Sequence, residues 1–137
     1  MNGFGIRKET PHHISFNGGG AQNTASTTAY SPIGGTTNFN PTERNRQVLI
    51  ARNCIVKNLY IATGSTQPAT GTMVFTLRKN GVDTSLVVTI AANAVAGGYA
   101  DNIDEVTFSA GDLLSLKSVN NATGTSAELT SWSILTV

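Results

Sequence analysis

The side chains able to do chemistry are few and scattered. The single cysteine, Cys54, lies between Asn53 and Ile55 at a strand start. One thiol cannot close an internal disulfide, and here it reads as a small buried or half-buried side chain. His12 and His13 are the only histidines. Neighbours in an extended chain point opposite ways, so the pair is a poor beginning for a metal site. Asp101, Asp104 and Glu105 form the one acidic cluster. Their oxygens suit Ca²⁺, although a solvated loop face before a strand is the plainer reading. Asp112 follows Gly111, in a turn where a carboxylate bonds nearby backbone N–H groups. Catalysis needs a nucleophile with a base, paired carboxylates or a metal cluster, and the sequence sets out none of these. Its glycines read as turn makers, because no glycine-rich loop opens a helix as phosphate sites require. The expectation is a non-enzyme with no catalytic residue, no metal and no cofactor.

The elements that would position these residues centre on 72–117. Met73, Phe75 and Leu77 alternate with Val74, Thr76 and Arg78, the period of a strand. Asn80-Gly81 follows, suited to the positive φ of a type I′ turn. Leu86, Val88 and Ile90 carry the alternation back. Val106 and Phe108 end a further strand, Ala110-Gly111-Asp112 turns, and Leu114 and Leu116 start the next. Val48–Ala51 reads as a short strand and Cys54–Thr63 as a longer one; Glu128–Val137 closes the sheet region, and Thr27–Tyr30 adds a short strand. Within Cys54–Thr63 the alternation puts Ile55, Leu59 and Ile61 on one face and Val56, Asn58 and Tyr60 on the other. Ala91–Ala96 is the only helix candidate, and Gly97-Gly98 cuts it short. About eight strands at this spacing predict an all-β, jelly-roll antiparallel β-sandwich. Its expected core is Leu59, Ile61, Phe75, Leu77, Leu86, Val88, Ile90, Val106, Phe108, Leu114, Leu116 and Ile134, with Trp132 also inside.

Residues 1–47 read differently, as an extended N-terminal arm before a domain at 48–137. The arm holds Gly3, Gly5, Gly18, Gly19, Gly20, Gly34 and Gly35 with Pro11, Pro32 and Pro41. Its apolar residues are single and spaced: Phe4, Ile6, Ile14, Phe16, Tyr30, Ile33 and Phe39. Such a segment does not bury enough surface to order itself, and its anchors suit a peptide laid across a partner. These seven residues are the candidate partner-binding set.

Only 12% of the residues are charged, against about 25% in an average soluble domain. Thr, Ser, Asn and Gly fill the gap, a composition suited to β structure packed beside other protein. The net charge is +1 with no basic run, so nucleic acid is not an expected partner. No apolar stretch approaches the roughly 20 residues of a membrane span. The N-terminus lacks the apolar core of a signal peptide, which leads us to expect synthesis and assembly in the cytoplasm. Asn121-Ala122-Thr123 has the form of a glycosylation acceptor, which has meaning only in a secreted chain.

Residues 76–84 (TLRKNGVDT), the strand Leu86–Ile90 and residues 108–117 (FSAGDLLSLK) resemble a jelly-roll module of tailed-bacteriophage virion proteins. The likeness spans roughly 48–137, and its turns are also similar to those of trimeric tumour-necrosis-factor-like and complement-like sandwiches. It implies a homotrimeric virion structural protein, either a capsid decoration (cement) protein or the head of a tail fibre or spike. No heptads or repeats supply a fibre stalk, so decoration is preferred. The expected partners are then the major capsid protein and neighbouring decoration subunits, at the capsid surface. Outward-facing Val74 and Val87 are the expected trimer contact. An arm of 47 residues, fully extended, would span about 150 Å and cross between capsomers. A carbohydrate-binding jelly roll is the reading from another class.

Overall fold

The computed structural model describes residues 10–22, 27–33 and 38–137. Among these residues nine strands are formed: β1 (His12–Gly20), β2 (Thr27–Tyr30), β3 (Val48–Leu49), β4 (Cys54–Thr63), β5 (Met73–Lys79), β6 (Val82–Ile90), β7 (Gly97–Phe108), β8 (Leu113–Asn120) and β9 (Leu129–Thr136). They make two antiparallel sheets, ordered β1-β9-β4-β7 and β2-β8-β5-β6, with the short β3 pairing β8 beside β2. The protein is an all-β sandwich. Among the described residues the only helical turn is 3₁₀, at Glu43–Arg46.

The central hairpin forms as the alternation predicts. Asn80 and Gly81 both have positive φ (51° and 78°), and Lys79 pairs directly with Val82. Met73, Phe75 and Leu77 of β5 face Leu86, Val88 and Ile90 of β6 within the core. From the other sheet come Val56, Leu59, Ile61, Leu129, Trp132 and Ile134, and Trp132 is 1% exposed. Eleven of the twelve residues expected inside are fully buried; the twelfth, Val106, is half-buried and packs against the core near the β7 edge.

One alternation breaks. Val56, expected to point outward, is buried, whereas Ile55, expected inward, is half-buried. The cause is Asn58, whose φ of 54° puts an extra residue into β4. The register against β9 and β7 shifts there, and a shift of one residue reverses the faces on either side.

The described part of residues 1–47 is not an arm outside the sandwich. β1 pairs with β9 over most of its length, and β2 pairs with β8. Gln22, after β1, is buried: its N–H donates to Ser126 Oγ (2.8 Å), and its carbonyl accepts from Asn120 Nδ2 (2.9 Å). The sandwich expected from residue 48 onward therefore also takes in β1 and β2. Glycine hid β1 from view. A Cβ on Gly18 would lie 2.0 Å from the Leu129 carbonyl oxygen, and one on Gly19 would meet the Phe39 ring at 2.8 Å. These glycines let backbone and ring approach; they do not mark a loose tail.

Candidate functional site

The register defines the outer face of the β1-β9-β4-β7 sheet, because paired residues share a face. Three rows cross it: His13, Leu135, Lys57 and Glu105; Ser15, Ser133, Tyr60 and Ala100; Asn17, Ser131, Ala62 and Gly98. Lys57 and Glu105 carry the charge and sit opposite each other in the register; apart from them and from His13, Leu135 and Tyr60 the residues are small. Tyr60 stands near the middle, 46% exposed.

Two apolar features adjoin this sheet. A groove of about 180 Å³ lies at the end of the sandwich where β4 begins, reaching from Ile14 of β1 past Thr136 of β9 to Cys54 of β4. Ile14, Val48, Leu49, Ile50, Ala51, Arg52, Cys54 and Thr136 line it. Leu49 is 65% exposed, because β3 is only two residues long and nothing described covers its outer side. Arg52 is the only charged residue of the lining. Burial pushes the Cys54 thiol above its ordinary value, against the opposing pull of Arg52.

At the β7 edge stands a knuckle. Lys57 pairs with Glu105 and Leu59 with Asp101, so Asn102, Ile103 and Asp104 face the single residue Asn58 and bow outward. Ile103 at its tip is 93% exposed. The Asp101 carboxylate fixes the bow, accepting from the backbone N–H of Ile103 (3.0 Å), Asp104 (3.1 Å) and Val87 of β6 (3.1 Å). Burial raises the Asp101 pKa, but these amides outweigh it and hold the carboxyl below its ordinary value. Asp101, Asp104 and Glu105 thus belong to a built backbone feature. Among the described residues no group of three or more His, Cys, Asp or Glu is placed to hold a metal ion.

The opposite face of the sandwich is closed by charge. Glu43, from the 3₁₀ turn, accepts from Arg78 Nε (2.7 Å) and Ser115 Oγ (2.6 Å). Arg78 and Lys117 both bind Asp83, and the Arg78 guanidinium lies 5.9 Å over the Tyr30 ring. Burial works to raise the carboxyl pKa values of Glu43 and Asp83, yet their cationic and hydroxyl donors hold both below the ordinary range. The cluster clasps residues 38–47 across the sheet, and its charges are spent on one another.

The anchor residues expected in the arm take several places. Phe16 stacks on Trp132 with ring centroids 4.1 Å apart, and Phe39 packs against the core. Tyr30 lies under Arg78, Ile33 is half-buried after β2, and Ile14 lines the groove. Phe4 and Ile6 lie outside the described residues. Val74 and Val87 face outward from the β2-β8-β5-β6 sheet, half-buried and 38% exposed respectively. Ile103 and the groove escaped the sequence reading. A lone isoleucine among acids gives no periodic signal, and the groove draws on three separate segments. Searches for similar proteins found no family model and no curated protein that matches the chain.

Proposed function

We propose that this chain is a virion structural protein, a capsid decoration protein that binds the outer shell as a homotrimer and stabilises it. The observation that carries the reading is the outer face of the β1-β9-β4-β7 sheet, two of whose three rows hold no charged residue, with Tyr60 near its middle. Protein interfaces are poor in charge at their centres and rich in tyrosine. A face with so little charge is better suited to lying against protein than to standing in water. The strand order adds support: from β4 onward the chain crosses between the sheets at every connection but the β5-β6 hairpin, an order compatible with the jelly roll that the resemblance implies. With β1 and β2 taken up in the sheets, the shell contact falls to the sandwich faces and to residues 1–9, where Phe4 and Ile6 remain as anchors. Trimeric attachment is multivalent, so weak contacts per subunit sum to tight binding. A ligand that binds only the assembled shell stabilises it by linkage.

A second reading has its own observation. Tyr60 exposed among Ser15, Ser133 and Asn17 offers a ring and hydrogen-bonding groups to a sugar, as a tail-fibre or spike head would need. Co-sedimentation with expanded empty shells of the source phage, beside a glycan array, separates the two. Saturable pelleting without glycan capture is expected. Glycan capture without pelleting would replace decoration by receptor binding.

A further inference from the structure

The groove at the end of the sandwich is open and apolar. On its wall Ile14 is 37% and Leu49 65% exposed, while Val48, Ile50 and Cys54 are half-buried. Its floor meets the core: Ile50 and Cys54 pack against the buried cluster, and Cys54 pairs in register with Phe108. Its volume of about 180 Å³ suits one aromatic ring, since an apolar cavity of about 150 Å³ takes benzene.

The described chain begins beside this groove. His12 pairs with Thr136, which lines the groove, and Thr136 Oγ1 donates to the His12 carbonyl (3.3 Å). Residues 1–9 are therefore tethered at its rim. Within them Phe4 stands between Gly3 and Gly5, and the other large apolar side chains are Met1 and Ile6. The eight residues from His12 back to Phe4 span up to about 27 Å. The groove reaches across β1, β9 and β4, two strand spacings or about 10 Å, so the tether is long enough to turn back onto it.

We propose that Phe4 seats in the groove of its own chain, so that residues 1–9 close the end of the sandwich. A segment tethered at the rim meets the groove at an effective concentration on the order of millimolar, which a free partner does not match. The glycines on both sides of Phe4 let the backbone come close to the rim. Seating the ring takes both its own surface and that of Leu49 out of water, which drives the contact. The inference goes beyond the shell reading and does not depend on it. Where both hold, groove and shell compete for Phe4, and the shell contact must exceed the hold of the groove.

Cys54 reports on the groove, because it is the only cysteine and it lines the site. Its alkylation by N-ethylmaleimide at fixed, mildly alkaline pH is followed in the full-length chain, in Phe4→Ser, Phe4→Leu and Ile6→Ser, and in a chain lacking residues 2–9. Phe4→Ser and the truncation should speed alkylation about fivefold or more, with the β-sheet spectrum unchanged. Phe4→Leu and Ile6→Ser should stay near the wild-type rate. A synthetic peptide of residues 1–9, at millimolar concentration, should slow the truncated chain again. Equal rates in the wild type, Phe4→Ser and the truncation would overturn the proposal. A rate that rises in Ile6→Ser and not in Phe4→Ser would overturn the assignment of Phe4. Wild-type protection that fades on dilution of the protein would mean that a second copy fills the groove, and would overturn the contact within one chain.

Discussion

Asp112 is the residue whose role is plainest. Its carboxylate accepts from Ser109 N–H (2.7 Å) and Asn80 Nδ2 (2.7 Å), with Lys79 Nζ at 3.1 Å, and so joins the turn before β8 to the β5-β6 hairpin. The Ser109 amide, Asn80 and Lys79 pull its pKa down to about 2. A carboxyl lowered on folding contributes stability above its unfolded value, and that contribution is lost as pH falls toward the folded one. Glu43, Asp83 and Asp101 shift in the same direction. Thermal melts should therefore hold steady at neutral pH and weaken below about pH 4. Asp112→Asn should flatten part of that acid limb, and an unchanged limb would remove Asp112 from it. Phe75 and Phe108 are fully buried, so either change to alanine should cost about 3–5 kcal/mol in chemical denaturation. Asp112 was legible in the sequence because a Gly-Asp turn bonds locally. Phe16 was not, because its partner Trp132 lies far along the chain and no local pattern encodes that stacking.

At the scale of elements, legibility followed sequence separation and glycine. β4 and β2 lie where the runs of apolar and β-branched residues put them, and the Asn80-Gly81 turn set its hairpin. β1 was missed because HHISFNGGG has only Ile14 and Phe16 to signal alternation, and its glycines answer to Leu129 and Phe39. The bulge at Asn58 was missed because an asparagine in a strand interior does not reveal a left-handed backbone before the register is known. Two substitutions follow from these elements. Asn58→Val should destabilise by about 1–3 kcal/mol, since a β-branched residue resists positive φ, whereas Asn58→Gly should be tolerated. Deleting residues 1–20 should lower the melting temperature and shift Trp132 fluorescence to the red, because it removes Phe16 and the strand that covers β9. A deletion that left both unchanged would restore residues 1–47 to the status of a separate arm.

The whole molecule presents two unlike faces. One is clasped by Glu43, Arg78, Asp83 and Lys117; the other holds Lys57 and Glu105 in one row, no charge in the next two, and the knuckle at its β7 edge. The alternating pattern predicted the sandwich as a whole. It did not reveal the surfaces, which arise where edges from distant segments meet. If the chain decorates a shell, its binding energy must appear in the stability of that shell. A bound ligand at about 100 times its Kd adds about 2.7 kcal/mol per site to the state it prefers. The direct measurement is the melting temperature of expanded empty shells titrated with purified full-length protein. A saturable rise, reached at a fixed ratio of protein to shell subunit, is the predicted result. A melting temperature that stays flat through a large excess of assembled protein would contradict the decoration role.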